Sequence, residues 1–579
     1  MRKRPQIVPV MFVLMLLSGL VPGIAQAAGA GTRTDATYFN DAKTPGADPY
    51  VRFDKASGYY YAYSTEGADP GYQFGVYRSP DLATWERLPG GALRADDPGN
   101  WAHDWFWAPE VYLNERTGVY FLFYSGRMNT GVAEHFKYPD FEEASKVGVA
   151  VSKSPAGPFT NIAAGPIDYF PYDPDYHDVN LIMDAEQKKP PATLAEGETA
   201  PLGTYLPFID PNVFFDDDGR IYLYFSRNAY RNWVWDHDLG KYVEESNIYA
   251  VELTGDWWQD PLGATMPAVQ PPYRNRNLAP GDPPGTRKDG FTPILSYGAD
   301  KQDWENAHVD DYAKTGGAKK DRRWAEGSTT VKTYTGTGVH RRAVYYLTYS
   351  ANNYENEFYG VGYAVSDSPL GPWRKSEANP VLSQDPAEHL YSTGHGSMVS
   401  SPDGRRQYYV HHGRPSTVDS RRIYTAGLRL GPVAGRLTID GTTSDRPIPP
   451  GVAPFRLRTG DRLLRVPPQG TGGTTIEVTS AAGAAFDLTD PLNRVRAELK
   501  PASAGTATVE GGRVTVRLRD PGAALLTLTY QRAKAAGGYT DVHQNGTPVS
   551  ARIPVLGLPG PDPGQGKDQL RVPMPPSGG

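Results

Sequence analysis

The chain has 579 residues, a net charge of −6 and no cysteine. That length exceeds one small domain and supplies ample material for a large core. The missing thiols exclude disulfides, thiol catalysis and thiolate metal sites, and the anionic balance argues against nucleic acid while remaining compatible with neutral polysaccharide.

Residues 1–27 read as a secretory leader. Arg2, Lys3 and Arg4 supply a cationic start, Ile7 to Val21 an apolar run, and Ala25-Gln26-Ala27 a small-x-small cleavage site. The run is shorter than the ~20 apolar residues a membrane span requires, and Pro9 interrupts it. Removing this segment takes the net charge to −9. The expectation is a secreted, soluble monomer with no membrane partner.

Tyr (37), Trp (11), Gly (63) and Pro (53) dominate the texture of the rest. Aromatic side chains with turn residues between them mark many short strands, so the chain reads as all-β. Aromatic strands recur at 59–65, 119–125, 221–227, 344–350 and 407–413, each after a turn such as Asp216 to Gly219. After four of them come third strands at 74–79, 147–154, 247–253 and 360–368, then fourth strands around Trp85, Phe159, Trp257 and Trp373. The last unit has a looser version near Ile423 to Leu430. The phrases 152–159 and 366–373 are near copies. Four strands in each of five units predict a five-bladed β-propeller over residues 28–440. Extra segments at about 160–205 and 260–322 are expected to be loops over one face.

Beyond this region, 441–455 reads as a linker. Short alternating strands over 456–558 predict a β-sandwich-like accessory domain, without Trp and therefore better suited to packing than to sugar stacking. The Gly/Pro-rich tail, 559–579, is expected to be disordered.

The innermost strand of each blade lines the central channel. Reading back from the aromatic strands gives five starting positions: Asp48, Glu110, Asp210, Glu326 and His395. If equivalent, they predict four carboxylates and one imidazole around a single pocket. Such a cluster drives pKa values apart and supplies an acid and a base at one pH. With Trp105, Phe106 and Trp107 alongside, it points to cleavage of glycosidic bonds. Singly, Asp48 and Asp210 would be turn-formers before proline, Glu326 a surface residue and His395 a structural histidine. Asp173, Asp175 and Asp178 offer too few oxygens for a full calcium loop.

The motifs ADPYV (Asp48), WAPEVY (Trp107, Glu110), IDPNVFFDDDG (Asp210), AEGS (Glu326) and GHGS (His395), over residues 36–440, resemble glycoside hydrolase family 43. That resemblance implies a five-bladed propeller that inverts anomeric configuration, with the two carboxyls ~6.5–9.5 Å apart. It implies Asp48 as general base, Glu326 as general acid, and Asp210 as the group that orients the acid and raises its pKa. It further implies Trp107, Glu110 and Arg414 as substrate contacts. No cofactor is required, although relatives hold a water-coordinated calcium or other small cation near the residue matching His395. Ser328 stands where relatives have proline, and Glu110 where aspartate is common.

The expected activity is α-L-arabinofuranosidase or β-xylosidase on an oligo- or polysaccharide. The alternatives are another specificity of the family (galactan, galactofuranoside or endo-arabinan), a non-catalytic carbohydrate-binding propeller, and a retaining fructan-type hydrolase. The last is disfavoured because Ala47-Asp48-Pro49-Tyr50 lacks its Asn-Asp-Pro-Asn motif.

Overall fold

The computed structural model describes residues 43–559 apart from short internal stretches, the longest being 271–290 and 441–454. The expected leader, nearly all of the linker at 441–455, the tail from Gly560, and Asp175 and Asp178 lie outside the described residues. The architecture is almost entirely β, with helices of at most five residues.

The hairpin at Phe208–Phe215 and Ile221–Arg227 shows how the sequence makes each unit. Asp216 N–H donates to Arg220 O at 2.9 Å, and Gly219 takes φ +89°, a left-handed conformation that costs glycine little. Both faces of Ile221–Arg227 are buried, so the strand reads as a continuous apolar run rather than an alternation.

Five runs of antiparallel pairing follow in order, the third and fourth joined into one ten-stranded sheet by the parallel pair of Glu244–Ser246 with Arg322–Trp324. They begin with Tyr50–Asp54, Ala102–Asn114, Phe208–Phe215, Arg322–Thr335 and Tyr391–Ser400. The first strands touch one another in a closed cycle. Tyr50 packs on Tyr112, Asn212 Nδ2 donates to Glu110, and Thr330 N–H donates to Asn212 Oδ1. Thr329 Oγ1 donates to Gly396 O, and Val51 N–H donates to Ser397 Oγ, which returns the cycle to its start. The chain also ties its ends here, since Ile423 N–H donates to Thr44 O at 2.9 Å.

The apolar core lies between units rather than inside one. Five clusters each join successive sheets: Tyr63 with Tyr124, Phe123 with Phe225, Tyr224 with Tyr349, Tyr346 with Tyr409, and Val410 with Val51. A fully buried side chain of this size contributes about 1.5–3 kcal/mol. The ring of first strands is therefore clamped from outside by five aromatic seams.

Trp257 corrects one strand expectation. It sits in the short helix Asp256–Gln259, fully buried against Phe121 and Phe123. The fourth strand of the third unit is Thr292–Leu295, reached only after the long insertion. The first insertion carries three two-residue strands and the helix Leu194–Gly197. Asp173, buried within it, accepts from Tyr249 OH at 3.3 Å.

Residues 455–557 form two larger sheets and a short two-stranded one, with a core of their own from Leu464 and Val478 to Leu528 and Val555. Here burial alternates along the strands, as in Asn493–Lys500, where one face packs and the other meets solvent.

Candidate active site

In or just before each first strand the chain bends at a residue with positive φ: Asp48 (+50°), Ala108 (+47°), Asp210 (+53°), Gly327 (+62°) and His395 (+32°), with Trp105 and Ser392 taking positive φ as well in the second and fifth. In the last four strands the ladder slips register at that point, as bulges do where a side chain is re-aimed. Asp tolerates the left-handed region better than most residues, which suits Asp48 and Asp210. Gly327 is required for another reason: a Cβ there would lie 2.7 Å from the His395 ring.

This register places the five predicted residues unequally. Asp48, Asp210 and His395 are equivalent, and Glu326 stands one residue earlier in its strand. All four line one pocket of about 200 Å³ together with Trp107, Trp324, Asn353, Tyr354 and Arg421. Glu110 does not join them. It stands two residues beyond Ala108, facing the interior of the strand ring, and accepts from Asn212 Nδ2 at 3.0 Å and from Tyr112 OH. The expected fourth carboxylate of the pocket, and the expected substrate contact, is thus a buried internal group. Arg414 is also absent from the pocket lining; its guanidinium lies 5.8 Å from the Tyr354 ring.

Asp48 lies against Arg421, two imidazoles and a hydroxyl; His412 Nδ1 accepts the Asp48 N–H at 3.1 Å, and burial pushes His412 down to about 3. Arg421 Nη1 is 3.3 Å from Oδ1, His412 Nδ1 3.2 Å and His395 Nδ1 3.4 Å, while Thr65 Oγ1 donates to Oδ2 at 2.7 Å. Burial alone would raise its pKa. The Arg421 charge, followed by His395 and His412, outweighs that and holds Asp48 well below the usual carboxylate range. Arg421 is itself fixed by Glu66 at 2.7 Å and lies over Tyr354 at 4.2 Å.

Glu326 is treated in the opposite way. Burial first, and the Asp210 charge second, raise it to about 7, against hydrogen bonds from Trp324 Nε1 (2.5 Å) and Tyr359 OH (2.8 Å). Asp210 is raised to about 7 by burial and by the Asp48 charge, while Ser226 Oγ and Gly327 N–H donate to its Oδ2. Asp210 therefore holds the backbone next to Glu326 and shares its electrostatics. The pocket keeps one carboxyl ionised and another protonated near neutral pH.

Trp107 is half-buried, with one ring face stacked on Trp105 (5.0 Å between centroids, 14°). Arg127 covers Trp105 at 4.2 Å and pairs with Asp104. Three groups stacked in series thus support the ring that lines the pocket.

His395 Nδ1 faces the carboxylates of Asp48 (3.4 Å) and Asp210 (4.0 Å). Among the described residues no group of three or more His, Asp or Glu is spaced to hold a metal.

Arg421, His412, Thr65, Trp324 and Tyr359 were not expected from the sequence. Trp324 was the most accessible of them, two residues before Glu326 on the same strand face. Arg421 and His412 come from parts of the fifth unit that fold back on Asp48 more than 360 residues away in sequence, and no local pattern marks them.

The sequence model of glycosyl hydrolases family 43 matches residues 43–189 and 304–433. The two blocks contain Asp48, Trp107, Glu326, His395 and Arg421, and Asp210 lies in the interval between them. The chain belongs to glycosyl hydrolase family 43. It is therefore a glycosidase, from a family that acts on oligo- or polysaccharides. This family 43 chain is similar to a β-D-galactofuranosidase of Aspergillus niger, 25% identical over 394 residues that span 66% of this chain and 78% of that protein. It is also similar to a xylosidase/arabinosidase of Humicola insolens, 27% identical over 171 residues, or 30% of this chain and 34% of that one. The crystal structure of a thermostable family-43 glycoside hydrolase aligns with a TM-score of 0.49 at 27% identity, covering 71% of this chain and 99% of the other.

Two expected results follow from the charges. Arg421→Gln removes the largest influence lowering Asp48, so burial then dominates and the Asp48 pKa rises. The acidic limb of the kcat/KM profile is expected to move up by about one unit or more, since one unit corresponds to only about 1.4 kcal/mol. Burial lifts Glu110 from its ordinary 4.5 to about 8, against donors from Tyr112 and Asn212. The fold favours its protonated form, so this stability is complete below about 4.5 and lost as pH rises through about 8. Thermal melts should show Glu110→Gln less sensitive than the parent between neutral pH and pH 9.

Proposed function

We propose that the five sheets close as a five-bladed propeller and that the pocket at one end of its axis hydrolyses a terminal sugar with inversion. The cycle of first-strand contacts and the five seams between units support the propeller. In this reading residues 455–557 form an accessory sandwich, and the cationic and apolar segments of residues 1–27 export the enzyme.

The observation that carries the mechanism is the opposite displacement of two carboxyls in one pocket. Asp48, ionised, takes a proton from water as its oxygen attacks the anomeric carbon. The glycosidic C–O bond breaks, and Glu326 gives its proton to the departing oxygen, ending ionised while Asp48 ends protonated. Asp210 keeps Glu326 protonated and aimed through Gly327. No cofactor enters this reading, and a cation near His395 would be held through water.

The volume of about 200 Å³ is below the roughly 300–1,000 Å³ of pockets that take drug-sized ligands. That favours one sugar ring and exo action. An α-L-arabinofuranosidase or β-xylosidase is the leading assignment. β-D-Galactofuranoside is the second reading, favoured by the name of the Aspergillus niger relative; it shares the ring stereochemistry of α-L-arabinofuranoside and adds an exocyclic carbon. Turnover of aryl arabinofuranoside, xyloside and galactofuranoside under one set of conditions tests the assignment. A galactofuranoside kcat/KM above the other two would replace the first reading with the second. Binding without turnover across the panel would overturn catalysis altogether.

A further inference from the structure

The charge of this chain is unevenly divided. Residues 455–559 carry 13 Lys and Arg against eight Asp and Glu, a balance of +5, whereas the whole chain stands at −6. Five of these cations stand on the outer face of one sheet with a single carboxylate; the outer face of the other sheet carries Arg456, Arg458, Arg513 and Arg517 against Glu477 and Glu510. In the sheet formed by Leu464–Val466, Ser550–Gly557, Gly522–Ala533 and Asn493–Lys500, alternate residues point into the core. Of the residues between them, Arg465, Arg494, Arg496, Lys500 and Arg552 are exposed, with Glu498 the one carboxylate of these four strands on that face, while Leu525, Thr527 and Thr529 are half-buried.

The arrangement is a grid. Arg494, Arg496 and Lys500 follow one another on one strand, with ~7 Å between alternate residues. Arg552 stands two strands away, in register with Thr527 and Glu498. Glu498 is bridged to Arg496 at 2.8 Å, too little acid to balance the row. Exposed surface pairs of this kind are worth little, so the Arg496–Glu498 bridge is a weak competitor for a ligand; Arg494 donates Nε to Gln531 at 2.9 Å. Leu525 pairs with Pro554 and with Lys500 across this face.

We propose that this face binds a carboxylate-bearing polysaccharide, that is, a uronic acid polymer. The guanidinium fork matches carboxylate geometry, and four of the five cations are arginines. No Trp occurs in 455–559, so a neutral polymer would find no indole platform there. A family that acts on polysaccharide gains from holding a polymer beside its pocket, because tethering raises the effective substrate concentration. The inference rests on the accessory-domain reading above, but not on which sugar the pocket takes.

The test uses the full-length protein and polygalacturonate, with fully methyl-esterified polygalacturonate as the uncharged control and dextran sulfate as the non-carboxylate polyanion. Affinity is read by titration calorimetry at low salt and at about 0.3 M NaCl, where exposed charges are screened. Binding to polygalacturonate should be at least about tenfold tighter than to its ester, should weaken with salt, and should fall about tenfold or more in the triple variant R496S/K500S/R552S. Turnover of an aryl glycoside by that variant should stay within about twofold of the parent, because none of these residues lines the pocket. Unchanged affinity in the variant, equal affinity for the ester, or tighter binding of dextran sulfate would overturn the proposal. The aryl glycoside readout is independent, so each of those failures is distinguishable from failure of the catalytic assignment.

Discussion

Asp48→Asn is expected to lower kcat by about three to four orders of magnitude on every substrate, the upper range for losing a general base. KM should change little. Asparagine preserves the shape of the side chain and can still accept from Thr65, but it cannot take a proton from water. It also removes the charge that faces Arg421 and His395. The folded state should persist, since Arg421 keeps its bond to Glu66 and His412 still accepts the residue 48 N–H. Circular dichroism and a thermal melt check that point. A variant retaining about a tenth of the parental kcat would remove Asp48 from the role of base.

Glu326→Gln has a different signature, because an acid is needed only in proportion to how poor the leaving group is. On oligosaccharides the loss should be about 10²–10⁴-fold. On an aryl glycoside whose phenol leaves without protonation it should be small. The parental profile should hold a plateau on the acid side, where Asp48 is already ionised, and fall above about 7 as Glu326 loses its proton. Asp210 titrates in the same range, so the limb belongs to the pair rather than to either residue. In Glu326→Gln, assayed with the activated substrate, that limb should shrink to what Asp210 alone contributes. An equal loss on both substrate types would contradict the assignment of Glu326 as the acid.

The all-β character and the order of strands were legible because each unit repeats the same turn before a doubly buried aromatic strand, as at Asp216 to Arg227. Asp48, Asp210 and His395 could be aligned because each opens its strand at the same bend. Glu110 was misplaced by two residues, since WAPEVY and ADPYV look alike as letters while the left-handed residue is Ala108 in one and Asp48 in the other. Backbone handedness at a bulge is set by the neighbouring strands, not by the local sequence. Trp257 misled for a related reason: a buried indole after an aromatic strand has the same composition in a helix as in an edge strand, and the long insertion that follows postponed the real partner to Thr292–Leu295. Arg421 and His412 could not be found from Asp48 at all, because only closure of the ring brings the fifth unit against the first.

The central claim is that water, activated by Asp48, attacks opposite the bond that Glu326 helps to break. The most direct measurement is proton NMR of the first-formed sugar during rapid hydrolysis, before mutarotation mixes the anomers. The mechanism predicts that the product appears with configuration opposite to that of the substrate. Accumulation of the anomer with retained configuration would contradict it and would make one of the two carboxylates a nucleophile.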